Sequence, residues 1–260
     1  MTVLPRFNPA NYPELHVMHF GYEKEGLFTE DYDDRDDDGE RCNPYFRHDG
    51  SVEASESYEG DIADTVNGEI SSPKFRIDRF LQFRNFEKSN PVEWTDDTCG
   101  IHVHVSTNNA LAFQKLCDLE FYTKFRKDIW RFMHNTGLFC EETVQQFEDR
   151  FNGESQYCLS GFNPDKSINA GMRDFKTIYT STNGRYNDLN FDAYHKFGTL
   201  EARIFPSSSS HDEVINMVEW FVNFTNHYLS NATPYERGNN EDVEIFVDET
   251  KINEEVLLCV

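Results

Sequence analysis

Three short segments carry polar side chains two residues apart: Glu23-Lys24-Glu25, His102-Val103-His104 and Glu201-Ala202-Arg203. Each lies in a stretch that reads as a β-strand, where residues i and i+2 point to the same face. Each pair therefore shows two functional groups to one side, while Val103 and Ala202 are left to face a core. If the three strands share a sheet, carboxylates, imidazoles and a guanidinium converge on one surface. Glu69, on a fourth short strand, can join them.

Taken singly, each pair has a plain reading. A Glu-x-Glu pair near a strand end fits a solvated face, His-x-His fits exposed polar alternation, and Glu-x-Arg fits a cross-strand ion pair. Their conjunction shifts the balance, because several like charges buried together are costly unless a cation neutralises them. Bound divalent metal is the simplest account. Mixed carboxylate and imidazole donors without thiolate suit Mg²⁺ or Mn²⁺ better than Zn²⁺. Glutamates with arginine alongside also suit a nucleoside triphosphate, whose oxygens such metals bridge and whose developing charge arginine offsets. The chain has neither GxxxxGK[ST] nor GxGxxG. Metal and arginine would have to hold phosphates that a glycine-rich loop holds elsewhere.

The elements that must position these groups follow from periodicity. Strands are expected over 15–25, 66–73, 98–106, 185–191 and 199–205, on two-residue alternation or short apolar runs. Phe75, Ile77, Phe80, Leu81 and Phe86 form a helical stripe. Residues 108–133 read as a long helix in two pieces, 141–151 as a short one, and 211–229 as an amphipathic helix. The acidic run 30–40 is expected to be an exposed loop. It contains Asp34-Arg35-Asp36-Asp37-Asp38-Gly39, the opening of a calcium loop, but the twelfth position is Tyr45 rather than Glu and no helical pattern flanks it. Asp49-Gly50 is a turn signal. Residues 152–174, rich in Gly, Asn, Ser and Asp, suggest a loop or lid, and the polar tail 232–260 a loosely docked end. The mixed order without strict βαβ alternation favours one α+β domain over 1–260, an antiparallel sheet with helices packed on one face.

Composition bounds the partners. The 260 residues include 23 Phe and carry a formal net charge of −23. The aromatic content can fill a core, whereas the charge repels nucleic acid and anionic membranes. The six cysteines, Cys42, Cys99, Cys117, Cys140, Cys158 and Cys259, form no CxxC pair, which points to reduced thiols in a cytoplasm. No run approaches the ~18 apolar residues of a membrane span.

The motifs also resemble a known family. Gly21-Tyr22-Glu23-Lys24-Glu25, Gly68-Glu69-Ile70-Ser71-Ser72-Pro73, Cys99-Gly100-Ile101-His102-Val103-His104-Val105-Ser106, Arg185-Tyr186-Asn187-Asp188-Leu189-Asn190 and Thr199-Leu200-Glu201-Ala202-Arg203-Ile204-Phe205 occur in the order seen in the amidoligases. These are carboxylate–amine ligases with the glutamine synthetase fold. The resemblance spans roughly residues 20–228. It implies an antiparallel sheet whose concave face holds divalent cations beneath ATP. It implies that Glu23, His102 and Glu201 hold one metal, Glu25 and Glu69 another, and that His104 touches the nucleotide phosphates. Arg203 and Arg185 would stabilise the transferring phosphoryl group. A substrate carboxylate, on a small molecule or peptide, would become an acyl phosphate at the expense of ATP, and an amine would then form the amide. The chain departs from the family in the long acidic insertion after Glu25, in Lys24 between the glutamates and in Ala202 before Arg203.

Two other classes compete. A metal-dependent hydrolase or cupin-type oxygenase could use the His pair, although a cupin wants Glu shortly after it and Thr107-Asn108-Asn109 follows here. An acidic binding protein, mimicking nucleic acid, would use surface carboxylates and leave Glu23 and His102 dispensable.

Overall fold

The computed structural model describes residues 15–32, 43–54, 58–60, 64–117, 119–155, 158 and 187–231. Arg185, residues 33–40 of the acidic run, nearly all of the 152–174 loop and the 232–260 tail lie outside them. Seven strands form one sheet: β1 (Val17–Thr29), β2 (Phe46–Arg47), β3 (Thr65–Ser71), β4 (Phe75–Arg76), β5 (Gly100–Thr107), β6 (Leu189–Asn190) and β7 (Leu200–Pro206). Their order is β2-β3-β1-β5-β7-β6, with β4 also paired to β1, and every pairing is antiparallel. The helices are α1 (Phe80–Lys88), α2 (Ala110–Leu116), α3 (Leu119–Asn135), α4 (Glu141–Asn152), α5 (Ala193–Phe197) and α6 (His211–Asn231). This is the expected α+β class with an antiparallel sheet.

One face of the sheet is greasy because the odd–even pattern makes it so. Phe20 and Tyr22 of β1, Ile101, Val103 and Val105 of β5, and Ala202 of β7 enter one core with residues of α1, α2, α3, α4 and α6. The α6 residues Val214, Met217, Val218, Phe221 and Val222 recur at helical spacing and are buried there. The helical stripe expected from Phe75 begins as β4 and becomes a helix only at Phe80, because Phe75 pairs with Phe20 across the strand edge. The 108–133 helix breaks as expected, with Asn109 capping α2 through a 2.9 Å bond from the Ala112 amide.

Two bulges adjust the pattern. Strict alternation would set Val17 on the same face as Glu23. A register shift between Val17 and His19 returns Val17 to the core and leaves His19 on the opposite face. A second shift, in β7 opposite His102, lets both Ile204 and Phe205 be buried. Strand β1 also runs to Thr29, beyond the expected end. Its far end is covered on both sides, Leu27 by Val52 and Ala54, Phe28 by Phe46, Ile70 and Val92. Gly26 is needed there, since a Cβ would meet Val92 Cγ2 at 2.3 Å.

Lys24 is the one charge that alternation drives into the core face beside the glutamates, and it is fully buried. Its Nζ donates to Glu87 Oε1 at 2.7 Å and to the Asn90 carbonyl at 2.7 Å. Glu87, on α1, also accepts from the Tyr22 hydroxyl at 2.5 Å and lies 2.9 Å from His211 Nδ1. Burial favours neutral lysine and lowers its pKa, while the Glu87 charge opposes this. Removing one partner of such a pair strands the other, at a cost of about 3–5 kcal/mol. Lys24→Met should therefore lose about that much stability in urea unfolding, and Lys24→Met/Glu87→Leu should recover most of it. Equal stability of Lys24→Met and the parent chain would remove the pair from any structural role.

Candidate functional site

The opposite face of the sheet carries the polar pairs singled out in the sequence. Antiparallel register sets Glu23 across from His102, Gly21 across from His104, Glu25 across from Glu69, and His104 across from Glu201. The three sequence pairs therefore meet on one surface over three adjacent strands, and Glu69 joins from β3. His102 stands in the middle. Its Nδ1 lies 3.2 Å from Glu23 Oε2 and 3.8 Å from Glu201 Oε1, and its Nε2 lies 3.6 Å from Glu25 Oε1.

Donor atoms gather into two groups on either side of His102. In the first, one donor atom each from Glu23, His104 and Glu201 lie within 4.8 Å of one another; in the second, Glu25, Asp49 and Glu69 do the same. His104, rather than His102, shares the first group. Asp49 is an addition that strand alternation cannot find, because it comes from the turn after β2. Its Oδ1 accepts from the Ser51 amide at 2.8 Å and hydroxyl at 2.6 Å, which fixes the carboxylate toward Glu69. The Asp-Gly turn signal was its only trace in the sequence.

Neighbours orient each group. Glu201 Oε1 accepts from Arg203 Nη1 at 2.7 Å and Oε2 from Asn190 Nδ2 at 2.6 Å. Glu25 Oε2 accepts from the Gly100 amide at 2.6 Å, where Gly100 allows the close approach: a Cβ would stand 3.0 Å from Arg150 Nη1 and 3.3 Å from that oxygen. His104 Nδ1 is 3.1 Å from the Thr199 hydroxyl. With Nδ1 donating to that hydroxyl, Nε2 is left facing the carboxylates, where an ion would take the place of its proton. Arg203 sits on the β7 bulge, its amide bonded to the Asp188 carbonyl at 2.9 Å. Asp188 is held in turn by Tyr122 at 2.8 Å and Arg126 at 2.7 Å. Arg150, fully buried on α4, donates to the Cys99 carbonyl at 2.5 Å and to the Arg203 carbonyl at 3.4 Å, tying β5 to β7.

The electrostatics follow from this crowding. Burial, the largest influence on Glu23 and Glu201, favours their protonated forms. The surrounding imidazoles, joined by Arg203 at Glu201, outweigh it and hold both carboxyls below the ordinary range, Glu23 well below. Burial likewise disfavours charge on His104, but Glu201 and Glu23 raise it overall. Glu69 is pushed up to about 7, first by burial and then by the charge of Glu23, Glu25 and Asp49, with His102 opposing. His104 Nε2 and Arg203 Nε are buried and unbonded among the described residues. Carboxylate oxygens around an unbonded imidazole nitrogen, on a rigid sheet, fit a hard divalent cation, which would displace the His104 and Glu69 protons.

The protonated Glu69 favours the fold, because its folded pKa lies above the ordinary carboxyl value of 4.5. That contribution is present below about 4.5 and lost as pH rises through about 7. Metal-free protein should therefore lose melting temperature between about pH 5 and pH 8, and Glu69→Gln should flatten part of that slope. In parallel, Mn²⁺ affinity measured by calorimetry should rise with pH over the same interval in the parent chain. Identical pH profiles for parent and Glu69→Gln would exclude the assignment.

Comparison with known proteins adds one finding. The family model described as "Putative amidoligase enzyme" matches residues 30–225. No curated protein and no solved structure matches the chain. The matched span takes in Glu69, His102, His104 and Glu201, and it covers well over half of the sequence. The chain belongs to the amidoligase family, enzymes of the ligase type.

Proposed function

We propose that the chain is an ATP-dependent carboxylate–amine ligase working through an acyl phosphate, on a sheet of the glutamine synthetase kind. The observation that carries this reading is the pair of donor groups, Glu23/His104/Glu201 and Glu25/Asp49/Glu69, side by side over one sheet face with Arg203 of β7 bonded to Glu201 beside them. A single carboxylate pair would suit general acid–base chemistry. Two adjacent cation sites with a guanidinium suit the spread charge of a transferring phosphoryl group.

Mg²⁺ or Mn²⁺ bound here would neutralise phosphate oxygens and draw them into line. The chain's own residues do the rest. Glu23, Glu201 and His104 fix the first position, and Glu25, Asp49 and Glu69 fix the second. His102 stands between the two sets, its Nδ1 near both Glu23 Oε2 at 3.2 Å and Arg203 Nη1 at 3.3 Å, donating to the first when protonated there or accepting from the second when not. A carboxylate oxygen of the substrate attacks the γ-phosphorus of ATP, and the bond to the bridging oxygen breaks, releasing ADP. An amine nitrogen then attacks the acyl carbon, the bond to phosphate breaks, and the nitrogen gives up a proton. Arg203, with its unbonded Nε, faces the charge that builds on the phosphoryl oxygens. Arg185 is assigned the same work, and the 152–174 loop the exclusion of water that keeps an acyl phosphate from hydrolysis.

Incubation with ATP, Mg²⁺ or Mn²⁺, a panel of amino acids and hydroxylamine should give a hydroxamate. Arg203→Gln should slow it by about 10²–10³, the usual loss for one preorganised charge stabiliser. Glu201→Gln and His104→Gln should weaken Mn²⁺ binding as well as rate. Calorimetry showing no nucleotide binding with either metal present would sink the assignment.

A further inference from the structure

A hollow opens on the same sheet face at the edge of His104, lined among the described residues by His19, Gly21, Lys74, His104, Ser106, Phe197 and Thr199. We propose that Lys74, with His19 and Ser106, makes this hollow an oxyanion subsite that takes a carboxylate or phosphate group of substrate next to the cation cluster. The subsite deepens the ligase reading and rests on it only for which of the two groups fills it.

Three observations carry the proposal. The first is register. His19 lies across from Ser106 and Gly21 across from His104 on β5, while β4 pairs with β1 at His19 and Phe20 from the other side. Lys74 directly precedes β4, so it borders the strip of β1 where Gly21 has no side chain to fill the space. The hollow thus begins one residue pair beyond Glu23 on the same strand face.

The second is charge. The sequence has 47 acidic residues against 24 Lys and Arg, so a lysine without an acidic neighbour needs a reason. Lys74, half-buried, makes no ion pair with any described residue. His19 beside it is lowered by burial and then by the charge of Lys74 and of Arg76, which both lie close to its ring. Arg76 itself is spent on Asp78 at 3.2 Å, out in solvent. A lysine without an ion-pair partner among the described residues, beside this hollow, is placed to meet an anionic group.

The third is the wall. Thr199 holds the ring of His104, and Phe197 of α5 meets that ring edge-on at 6.1 Å between centroids. His104 is buried with Nε2 unbonded, so the wall between cluster and hollow is one ordered imidazole. The hydroxyl of Ser106 stands beside His19 as a neutral donor. A cation, a hydroxyl donor and a dry aromatic wall are what a charged oxygen group needs to be held and oriented.

The test uses calorimetry on the full chain with Mn²⁺ present, with glutarate, tripolyphosphate and ATP as probes. Lys74→Gln should weaken glutarate or tripolyphosphate about tenfold or more, Lys74→Arg should retain most of the affinity, and both should bind Mn²⁺ like the parent and melt at its temperature. Loss for tripolyphosphate and ATP assigns the phosphate chain; loss for glutarate alone assigns the substrate carboxylate. Equal binding of both anions by parent and Lys74→Gln overturns the subsite while leaving the ligase reading in place if ATP binds. Lys74-dependent glutarate binding without ATP binding keeps the subsite and removes the ligase reading. A parent chain that binds neither anion nor ATP removes both.

Discussion

The structure depends on one electrostatic demand: several carboxylates share a buried sheet face, and they are tolerable together only if positive charge is built in among them. Glu23 and Glu201 stay ionised because His102, His104 and Arg203 stand within a few ångströms, against the desolvation that would otherwise protonate them. At Glu69 burial and the charge of Glu23, Glu25 and Asp49 outweigh His102, and its carboxyl rises to about 7. The same face therefore holds carboxyls shifted in opposite directions, two held down by neighbouring positive groups and one pushed up by burial and like charge. Under the proposed ligase reading, divalent cations would meet that demand.

The greasy side of the sheet answers a related demand. Lys24 projects away from the carboxylates between which it sits in sequence, and it needs Glu87, Asn90 and, through Glu87, Tyr22 and His211 to be buried at all. The strand that presents two glutamates to the site thus pins α1 and the start of α6 from behind. Farther along, Arg150 and the Asp188–Tyr122–Arg126 set do similar work for β5 and β7: the first ties their carbonyls together, and the second anchors the bulge that carries Arg203. A guanidinium aimed into a crowded site needs a backbone that cannot drift, and the bulge with its buried aspartate supplies one.

The strand-borne donors were legible in sequence for a simple reason. Period-two alternation is a local rule, so Glu23 and Glu25, His102 and His104, and Glu201 and Arg203 could each be paired before any fold was known, and their neighbours Val103 and Ala202 could be sent to the core. Element order and the antiparallel α+β class were legible too, since they rest on periodicity and on short connections. What local rules could not supply were the exceptions. The bulge after Val17 changes which residues accompany the glutamates, and the strand at Phe75 replaces a helix because a partner strand is near. Asp49 arrives from a turn that no alternation marks.

By itself, then, the sequence determined which chemical groups share a strand face, because side-chain direction in a strand follows from backbone geometry alone. Only the tertiary structure decided which of those groups become neighbours. The register of the paired strands set both His102 and His104 beside Glu23 and Glu201, brought Asp49 near Glu25 and Glu69, and buried Lys24 against Glu87. Register is a property of paired strands, set by bulges and by the burial of residues far apart in the chain, so no single segment carries it.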